Sequence, residues 1–201
     1  MTKALKLAVL VLAIPAIAQA AIVGTSLGTA APPGSLGGFT MQSFALDGQP
    51  LFVNVGSVAG PTGPISLTPA LDHRQIGLGW ATWSHGYAGD VYYQPNGGSS
   101  TVGLPAGTKA FILYAEPDPF AIFDISATAN DGTTITQSVD GSGGAKGYGF
   151  HVTGGSSLTS VTVSLPGTAY AIGEFSIGVP EPTTMSLLGL VGAALLRRRT
   201  R

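Results

Sequence analysis

The residue types best suited to binding chemistry are concentrated in one stretch, GWATWSHGYAGDVYY, at residues 79–93. It contains both tryptophans of the chain, and aromatic faces are the usual platform on which sugar rings stack. The stretch therefore predicts a carbohydrate-binding patch formed by Trp83, His85 and Tyr87, with Trp83 as the exposed ring. In the alternative interpretation, Trp80 and one of Tyr92 or Tyr93 fill the protein core, because aromatic side chains dominate such interiors.

Catalysis finds less support in the sequence. Ser84 and His85 are neighbours, but adjacent side chains of an extended chain point to opposite sides, so they are not expected to touch. The chain has no G-x-S-x-G nucleophile elbow. Glu116 and Asp118 in AEPDPF are paired carboxylates, and we expect solvated acids on a stiff loop because Pro117 and Pro119 flank Asp118.

The sequence predicts no resident cofactor. It contains no cysteine, and His73, His85 and His151 are too far apart for the usual spacing of zinc ligands. Calcium is the alternative, because exported β-proteins often hold their loops with this ion through oxygen ligands. The candidate ligands are the acids near turns, namely Asp118, Asp124, Asp131 and Asp140.

Charge excludes one class of partner. The 201 residues have a formal net charge of -1, but most cations lie at the two ends of the chain. Between residues 21 and 179 there are three cations and nine acids, which gives a net charge of 3 - 9 = -6. An acidic protein of this kind is not expected to bind nucleic acid or anionic lipid.

The central part of the chain is a series of short apolar or alternating segments separated by turn residues. The segments are rich in Val, Ile, Thr, Phe and Tyr, and they recur about every ten to twelve residues. In AIFDISATA, apolar and polar residues alternate with a period of two, and Asp131-Gly132 after it predicts a hairpin. These patterns predict an all-β fold, an antiparallel β-sandwich of jelly-roll type with about nine to twelve strands, at residues 39–178.

Residues 21–38 are rich in Gly, Ala and Pro and carry no charge. They are expected to form a linker or loosely held arm, although Ile22, Val23 and Leu27 could add an edge strand. Residues 1–20 have two lysines, an apolar run and the small residues Ala18 and Ala20, which predict a secretory signal peptide. We expect a signal helix in the precursor and cleavage by signal peptidase after Ala20.

The C-terminal residues 179–201 form a three-part pattern. Pro180, Glu181 and Pro182 hold the chain extended, and an apolar segment at residues 183–196 predicts a transmembrane helix. Met185 to Leu196 would form a helix of roughly 18 Å, which is short for a bilayer core of about 30 Å. The arginines Arg197, Arg198 and Arg199 follow it and are expected to stop transfer on the cytoplasmic side.

This pattern resembles the PEP-CTERM sorting signal of Gram-negative bacteria. The resemblance implies that Pro180, Glu181 and Pro182 form the recognition motif and that exosortase is the processing enzyme. It also implies a transient inner-membrane anchor, a final place at the cell surface or in the extracellular matrix, and a link to exopolysaccharide. GWATWSHGYAGDVYY and the closing AIGEFSIG are similar to a recurring small β-domain of such proteins, which implies no chemistry.

Together these features predict an exported, non-enzymatic cell-surface or matrix protein. Two alternatives remain open: a carbohydrate-binding module that uses the Trp80–Tyr93 stretch, and a secreted hydrolase. Retention on polysaccharide would support the first alternative. A structure that lacks a groove with facing carboxylates, or a contact between a serine and a histidine, would argue against the second.

Overall fold

The computed structural model describes residues 21–178. The predicted signal peptide at 1–20 and the sorting signal at 179–201, including the predicted transmembrane helix at 183–196, lie outside the described residues. Strands, turns and loops make up the whole described part. Within it, no helix has the length and apolar character that a membrane crossing requires.

Fourteen strands form one continuous, almost entirely antiparallel hydrogen-bonded network. In chain order they are β1 (Ala21–Gly28), β2 (Ser35–Leu36), β3 (Phe39–Ser43), β4 (Asn54–Val58), β5 (Ile65–Ile76), β6 (Gly79–Trp80), β7 (Asp90–Gln94), β8 (Gly98–Gly103), β9 (Ala110–Pro117), β10 (Ile122–Ala129), β11 (Thr134–Asp140), β12 (Lys146–Thr153), β13 (Ser160–Leu165) and β14 (Tyr170–Gly178). The all-β antiparallel prediction is confirmed.

The long strand β5 divides this network into two layers. The main strand order is β1-β12-β9-β14-β7-β5-β8-β13-β10-β11. The first residues of β5 pair with β8, around Leu67, and its last residues pair with β7, around His73. The strands on either side of β5 therefore belong to different layers, and the apolar core contains residues from both, such as Phe111 of β9 and Val163 of β13.

Alternation along the strands explains which face is buried. In β10, Ile125 and Ala127 are buried, whereas Asp124 and Ser126 point towards solvent. The hairpin predicted at Asp131-Gly132 joins β10 to β11, with the amide of Ala129 donating to the carbonyl of Thr133. Local sequence thus predicts the face and the turn of this hairpin correctly.

Two buried tyrosines connect the layers through their hydroxyl groups. The hydroxyl of Tyr148 in β12 donates to the carbonyl of Ile125 in β10 at 3.1 Å. The hydroxyl of Tyr170 in β14 lies 2.8 Å from Ser100 Oγ in β8 and 3.1 Å from the carbonyl of Val163 in β13. Because unpaired polar groups are costly in such an interior, these bonds specify how the layers face each other.

The two edge strands, β1 and β11, approach each other without forming a ladder. The carboxylate of Asp131 accepts a hydrogen bond from the amide of Ile22 at 3.1 Å, and Thr133 Oγ1 donates to the carbonyl of Ile22 at 3.2 Å. Gln137 Nε2 of β11 donates to the carbonyl of Gly147 in β12 at 2.9 Å. Side chains therefore close this seam, which gives the sandwich a barrel-like character and protects its edges.

The structure corrects one prediction near the N-terminus and extends another. Ala21–Gly28 is not a linker: it is an eight-residue edge strand paired with β12 from Ala21 to Gly28. The edge-strand alternative is therefore the observed one, because Ile22 finds an apolar site that sequence alone does not reveal. The strand number exceeds the predicted nine to twelve because of β1 and the two-residue strands β2 and β6.

Candidate functional site

An open cleft of about 370 Å³ lies beside the aromatic stretch, and we call it the Trp80 cleft. Its walls come from the β5–β6 turn, the residues after Trp80, and the end of β9. The lining residues are Gly77, Gly79, Trp80, Ala81, Thr82, Pro117, Asp118 and Phe120. Trp80 is buried, with 6% of its surface exposed, whereas Phe120, from the segment after β9, is 67% exposed.

A buried carboxyl group supports the cleft from below. Glu116 is 0% exposed and accepts hydrogen bonds from Trp80 Nε1 at 2.8 Å and from Thr82 Oγ1 at 2.7 Å. Burial raises the pKa of Glu116 to about 7, and the bonds from Trp80 and Thr82 offset only part of that effect. The carboxyl thus holds two cleft residues in place and titrates near neutral pH.

The paired acids of AEPDPF therefore have different environments, contrary to the expectation of two solvated carboxylates. Glu116 lies within β9, and its side chain turns into the protein, while Asp118 follows the strand and is exposed. The expectation failed for Glu116 because β9 continues as far as Pro117, with Glu116 opposite Ala171 of β14. A proline at the end of a strand needs no ladder donor.

Charged and aromatic side chains lie next to the Trp80 cleft. Tyr93 packs against Trp80, with the ring centroids 5.6 Å apart, and its hydroxyl donates to Asp118 Oδ2 at 3.3 Å. The guanidinium of Arg74 covers the Tyr93 ring at 3.9 Å and pairs with Asp72 at 2.8 Å. Arg74 is therefore already neutralised by a partner, while Asp118 presents a carboxylate to the cleft.

Exposed apolar side chains lie in or next to the cleft. Phe120 is an exposed lining residue, and Leu78, also exposed, lies between two lining residues in the chain. The Phe52 side chain is exposed as well. Phe52 lies on Gly79, where an added Cβ would be 2.6 Å from Phe52 Cε1, so only glycine allows this contact. Large apolar side chains exposed around a concave surface are characteristic of binding sites.

The residues predicted for carbohydrate binding are mainly held by internal contacts. Trp83 is half-buried rather than exposed, and its Nε1 donates to Glu174 Oε2 at 2.9 Å. Tyr87 is also half-buried, with its hydroxyl donating to the carbonyl of Asp90 at 3.0 Å. His85 is exposed mostly through its backbone, since its side chain is only 15% exposed. Trp80 and Tyr92 are buried, as the core-filling alternative expected.

Ser84 and His85 do touch, so the expectation that their side chains point apart is wrong. Ser84 Oγ lies 2.9 Å from His85 Nδ1. His85 has a φ of 40°, in the left-handed region, and this backbone turn returns its ring towards Ser84. Glu174, whose Oε1 is 2.6 Å from His85 Nε2, also has a positive φ of 51°.

Hydrogen bonding at His85 argues against a catalytic triad. Its Nδ1 is also 3.1 Å from the carbonyl of Thr29, which can only accept, so Nδ1 carries a hydrogen atom. A protonated Nδ1 cannot take the proton of Ser84, which is itself buried. Burial raises the pKa of Glu174, whose Oε1 lies 2.6 Å from His85 Nε2.

A second cavity of about 340 Å³ is lined in part by Glu174. Its lining includes two carboxylates, Asp90 and Glu174, and the aromatic residues Phe44, Tyr87 and Tyr92. The carboxylates are already engaged: Asp90 contacts His73 Nε2 at 3.3 Å and accepts from the amide of Asp47 at 2.5 Å. Both carboxylates therefore already bind side chains or amides of neighbouring segments of the protein.

Among residues 21–178, no group of three His, Cys, Asp or Glu side chains is arranged to hold a metal ion. The acids considered as calcium ligands each accept a hydrogen bond within the protein. Asp131 accepts from the amide of Thr133, and Asp140 from the amide of Ser142, each at 2.9 Å. Asp124 accepts from the Ser138 hydroxyl, and Asp118 from Tyr93.

Comparison with known proteins identifies the C-terminal part of the chain. Residues 178–199 match the family model of the PEP-CTERM protein-sorting motif. The chain thus carries a PEP-CTERM sorting motif on an all-β domain, and the resemblance drawn from its residues is confirmed. The motif implies processing by exosortase, export, and a C-terminal membrane anchor before cleavage.

The other comparisons contribute little. No curated protein matches the chain. One solved structure, a mutant of a family 29 carbohydrate-binding module, is similar over 78% of this chain and 91% of its own, with 8% sequence identity and a TM-score of 0.27. A TM-score this low carries no argument about fold or ligand.

The predicted stretch at residues 79–93 overlaps the lining of the Trp80 cleft, but the sequence analysis did not predict the positions of Phe120 and Phe52 or the role of Glu116. Phe120 follows Pro119 and precedes a predicted strand. This position indicates a stiff loop, so the sequence contained a signal that the Phe120 ring could be exposed. The burial of Glu116 had no such signal, because its two donors are 34 and 36 residues away in the chain.

Proposed function

We propose that this protein is an exported, non-enzymatic protein of the cell surface or extracellular matrix, sorted and cleaved by exosortase and associated with exopolysaccharide. The sorting motif at residues 178–199 carries this proposal. Signal peptidase removes residues 1–20, exosortase acts at Pro180, Glu181 and Pro182, and Arg197, Arg198 and Arg199 stay on the cytoplasmic side until cleavage.

Strand pairing extends to both limits of the described residues. Ala21 of β1 pairs with Thr153, and Gly178 of β14 pairs with both Met41 and Ala110. Cleavage after Ala20 and near Pro180–Pro182 would remove none of these pairings.

Processing is tested by intact mass and C-terminal peptide mapping of the protein recovered from its native host. We expect a form that starts at Ala21 and ends near Pro180–Pro182. Glu181→Ala should retain the tail, whereas Thr184→Ala, a nearby control, should be processed normally. Recovery of wild-type chains that end at Arg201, in a host that makes exosortase, would contradict the scheme.

A second function is favoured by the Trp80 cleft: the domain binds polysaccharide there. The observation that supports it is the exposed Phe120 ring in the same cleft as Trp80, where the Asp118 carboxylate is a hydrogen-bond acceptor for sugar hydroxyls. Binding through Trp83, His85 and Tyr87 is the alternative location, although internal hydrogen bonds already engage these side chains.

Retention on exopolysaccharide of the host distinguishes the two locations. Phe120→Ala should weaken retention if the Trp80 cleft binds, and Trp83→Ala should weaken it if the predicted patch binds. Leu46→Ala is the matched control, because Leu46 is as exposed as Phe120 but lies away from the cleft. Equal retention of all four proteins would remove the binding function.

A further inference from the structure

We infer that the Trp80 cleft selects polysaccharides that carry free amino groups over neutral and acidic ones. This inference rests on the proposed binding function and names the ligand class of the same cleft. It follows from three features of the site: an acid with a free oxygen, the absence of an available cation among the described residues, and a second carboxyl group in the floor.

The free oxygen is Oδ1 of Asp118. Asp118 is exposed and lines the cleft, and its other oxygen, Oδ2, accepts one hydrogen bond, from Tyr93. Within residues 21–178, no hydrogen bond or ion pair reaches its Oδ1. A protonated amino group donates up to three hydrogen bonds and carries the charge that complements this carboxylate.

None of the three lysine and arginine side chains among the described residues is available to form an ion pair with an acidic sugar in the cleft. Arg74 is paired with Asp72 and stacked on Tyr93. Lys146 Nζ donates to the carbonyl of Ser138 at 2.6 Å and does not line the cleft. Lys109 lies at the opposite end of β9 from Pro117, roughly 25 Å away at the rise of a β-strand. The carboxylate of a uronic acid would therefore be repelled by the acidic side chains of the cleft, with no cation to offset the repulsion.

Glu116 adds to the same preference. It lies under Trp80 and Thr82, which line the cleft, and a cation bound above it would favour its ionised form. The described part of the chain also carries a net charge of -6, from three cations and nine acids. This charge attracts a polycation before contact and repels a polyanion.

The exposed aromatic rings at the Trp80 cleft fit a polysaccharide better than a single sugar. Phe120 and Phe52 are 67% and 62% exposed; Phe120 lines the Trp80 cleft, and Phe52 lies against the lining residue Gly79. Each ring can stack on one sugar face, while Asp118 contacts an amino group of the same polymer. The arrangement fits a polymer of amino sugars that crosses the cleft.

The test uses the full chain in detergent and four immobilised polymers: chitosan, chitin, a neutral glucan and a polyuronate. We expect the strongest retention on chitosan at pH 5.5, where its amino groups are protonated. Asp118→Asn should weaken chitosan binding about threefold, as expected for one exposed ion pair. Asp124→Asn is the matched control, because it removes the same charge from an exposed residue that does not line the cleft.

The outcomes separate this inference from the binding function itself. If Phe120→Ala leaves retention on every polymer unchanged, the cleft does not bind polysaccharide, and both proposals fail. If Phe120→Ala weakens binding but the glucan or chitin binds as tightly as chitosan, the amino-sugar preference alone is wrong. An equal effect of Asp118→Asn and Asp124→Asn would also overturn it, because only the overall charge would then matter.

Discussion

His85 Nε2 lies 2.6 Å from Glu174 Oε1, across 89 residues of sequence, and the two residues hold three segments together. His85 belongs to the loop after β6, and Glu174 to a bulge of β14 between Gly173 and Ser176. Through Nδ1, His85 also reaches the carbonyl of Thr29 in the segment that follows β1. Both residues have positive φ, a strained conformation that the surrounding contacts must maintain.

Coupling between His85 and Glu174 should be measurable in a double-mutant cycle. We expect His85→Ala and Glu174→Ala each to lower the free energy of unfolding by about 2 kcal/mol, because each leaves a mostly buried partner unpaired. The double variant should cost clearly less than the sum of the two. Denaturant unfolding gives all four values, and strictly additive losses would mean that the pair does not couple these segments.

The titration of Glu116 predicts how stability depends on pH. Its folded pKa, about 7, is above its ordinary value of 4.5, so the folded protein binds more protons between these values. Stability should therefore fall as the pH rises from 4.5 to 7, by on the order of 3 kcal/mol for this group alone. Unfolding curves at several pH values measure the slope.

Glu116→Gln should remove this slope while keeping the fold. A glutamine oxygen can accept from Trp80, and its amide can donate to Thr82 Oγ1, whose hydroxyl can donate to the carbonyl of Gly141, 3.2 Å away. Asp118→Asn, a change of the neighbouring exposed acid, is the control and should leave the slope in place. An unchanged slope in Glu116→Gln would show that another group titrates.

Asp131 should stabilise the seam between β1 and β11, and this contribution should depend on pH in the opposite direction to that of Glu116. Hydrogen bonds from Thr133, and also from the amide of Ile22, hold the pKa of Asp131 below its usual range. Its contribution is thus complete above the pKa of the unfolded chain and is lost as the pH falls through the lower, folded pKa. Hydrogen exchange of the Ile22 amide should accelerate in Asp131→Asn at neutral pH, but not in the control Asp124→Asn.

The buried hydroxyl of Tyr170 should matter more than the exposed hydroxyl of Tyr93. Tyr170→Phe leaves Ser100 Oγ and the carbonyl of Val163 without this partner in the core, at a cost of about 1–3 kcal/mol. Tyr93→Phe removes only an exposed contact with Asp118, so its effect should stay within about 0.5 kcal/mol. Thermal unfolding of both variants compares them, and equal shifts would argue against the bridge between layers.

Residues close together in sequence were predicted well. The strand from Ile122 to Ala129, its buried and exposed faces and the turn at Asp131-Gly132 depend on local alternation and turn chemistry. Strand β1 was harder, because Ala21–Gly28 contains three glycines or serines in a weak pattern and becomes a strand only through pairing with β12. Its neighbours, rather than its propensity, decide its structure.

By itself, the sequence determined the sorting motif, the all-β class and the stretch around Trp80 and Trp83, because each is a continuous run of residues. The tertiary structure decided that Trp83 is half-buried and bonded to Glu174, that Glu116 is buried and bonded to Trp80, and that Phe120 and Trp80 line one cleft. These relations join residues 36 to 91 positions apart. They depend on strand order and register, which local alternation does not specify.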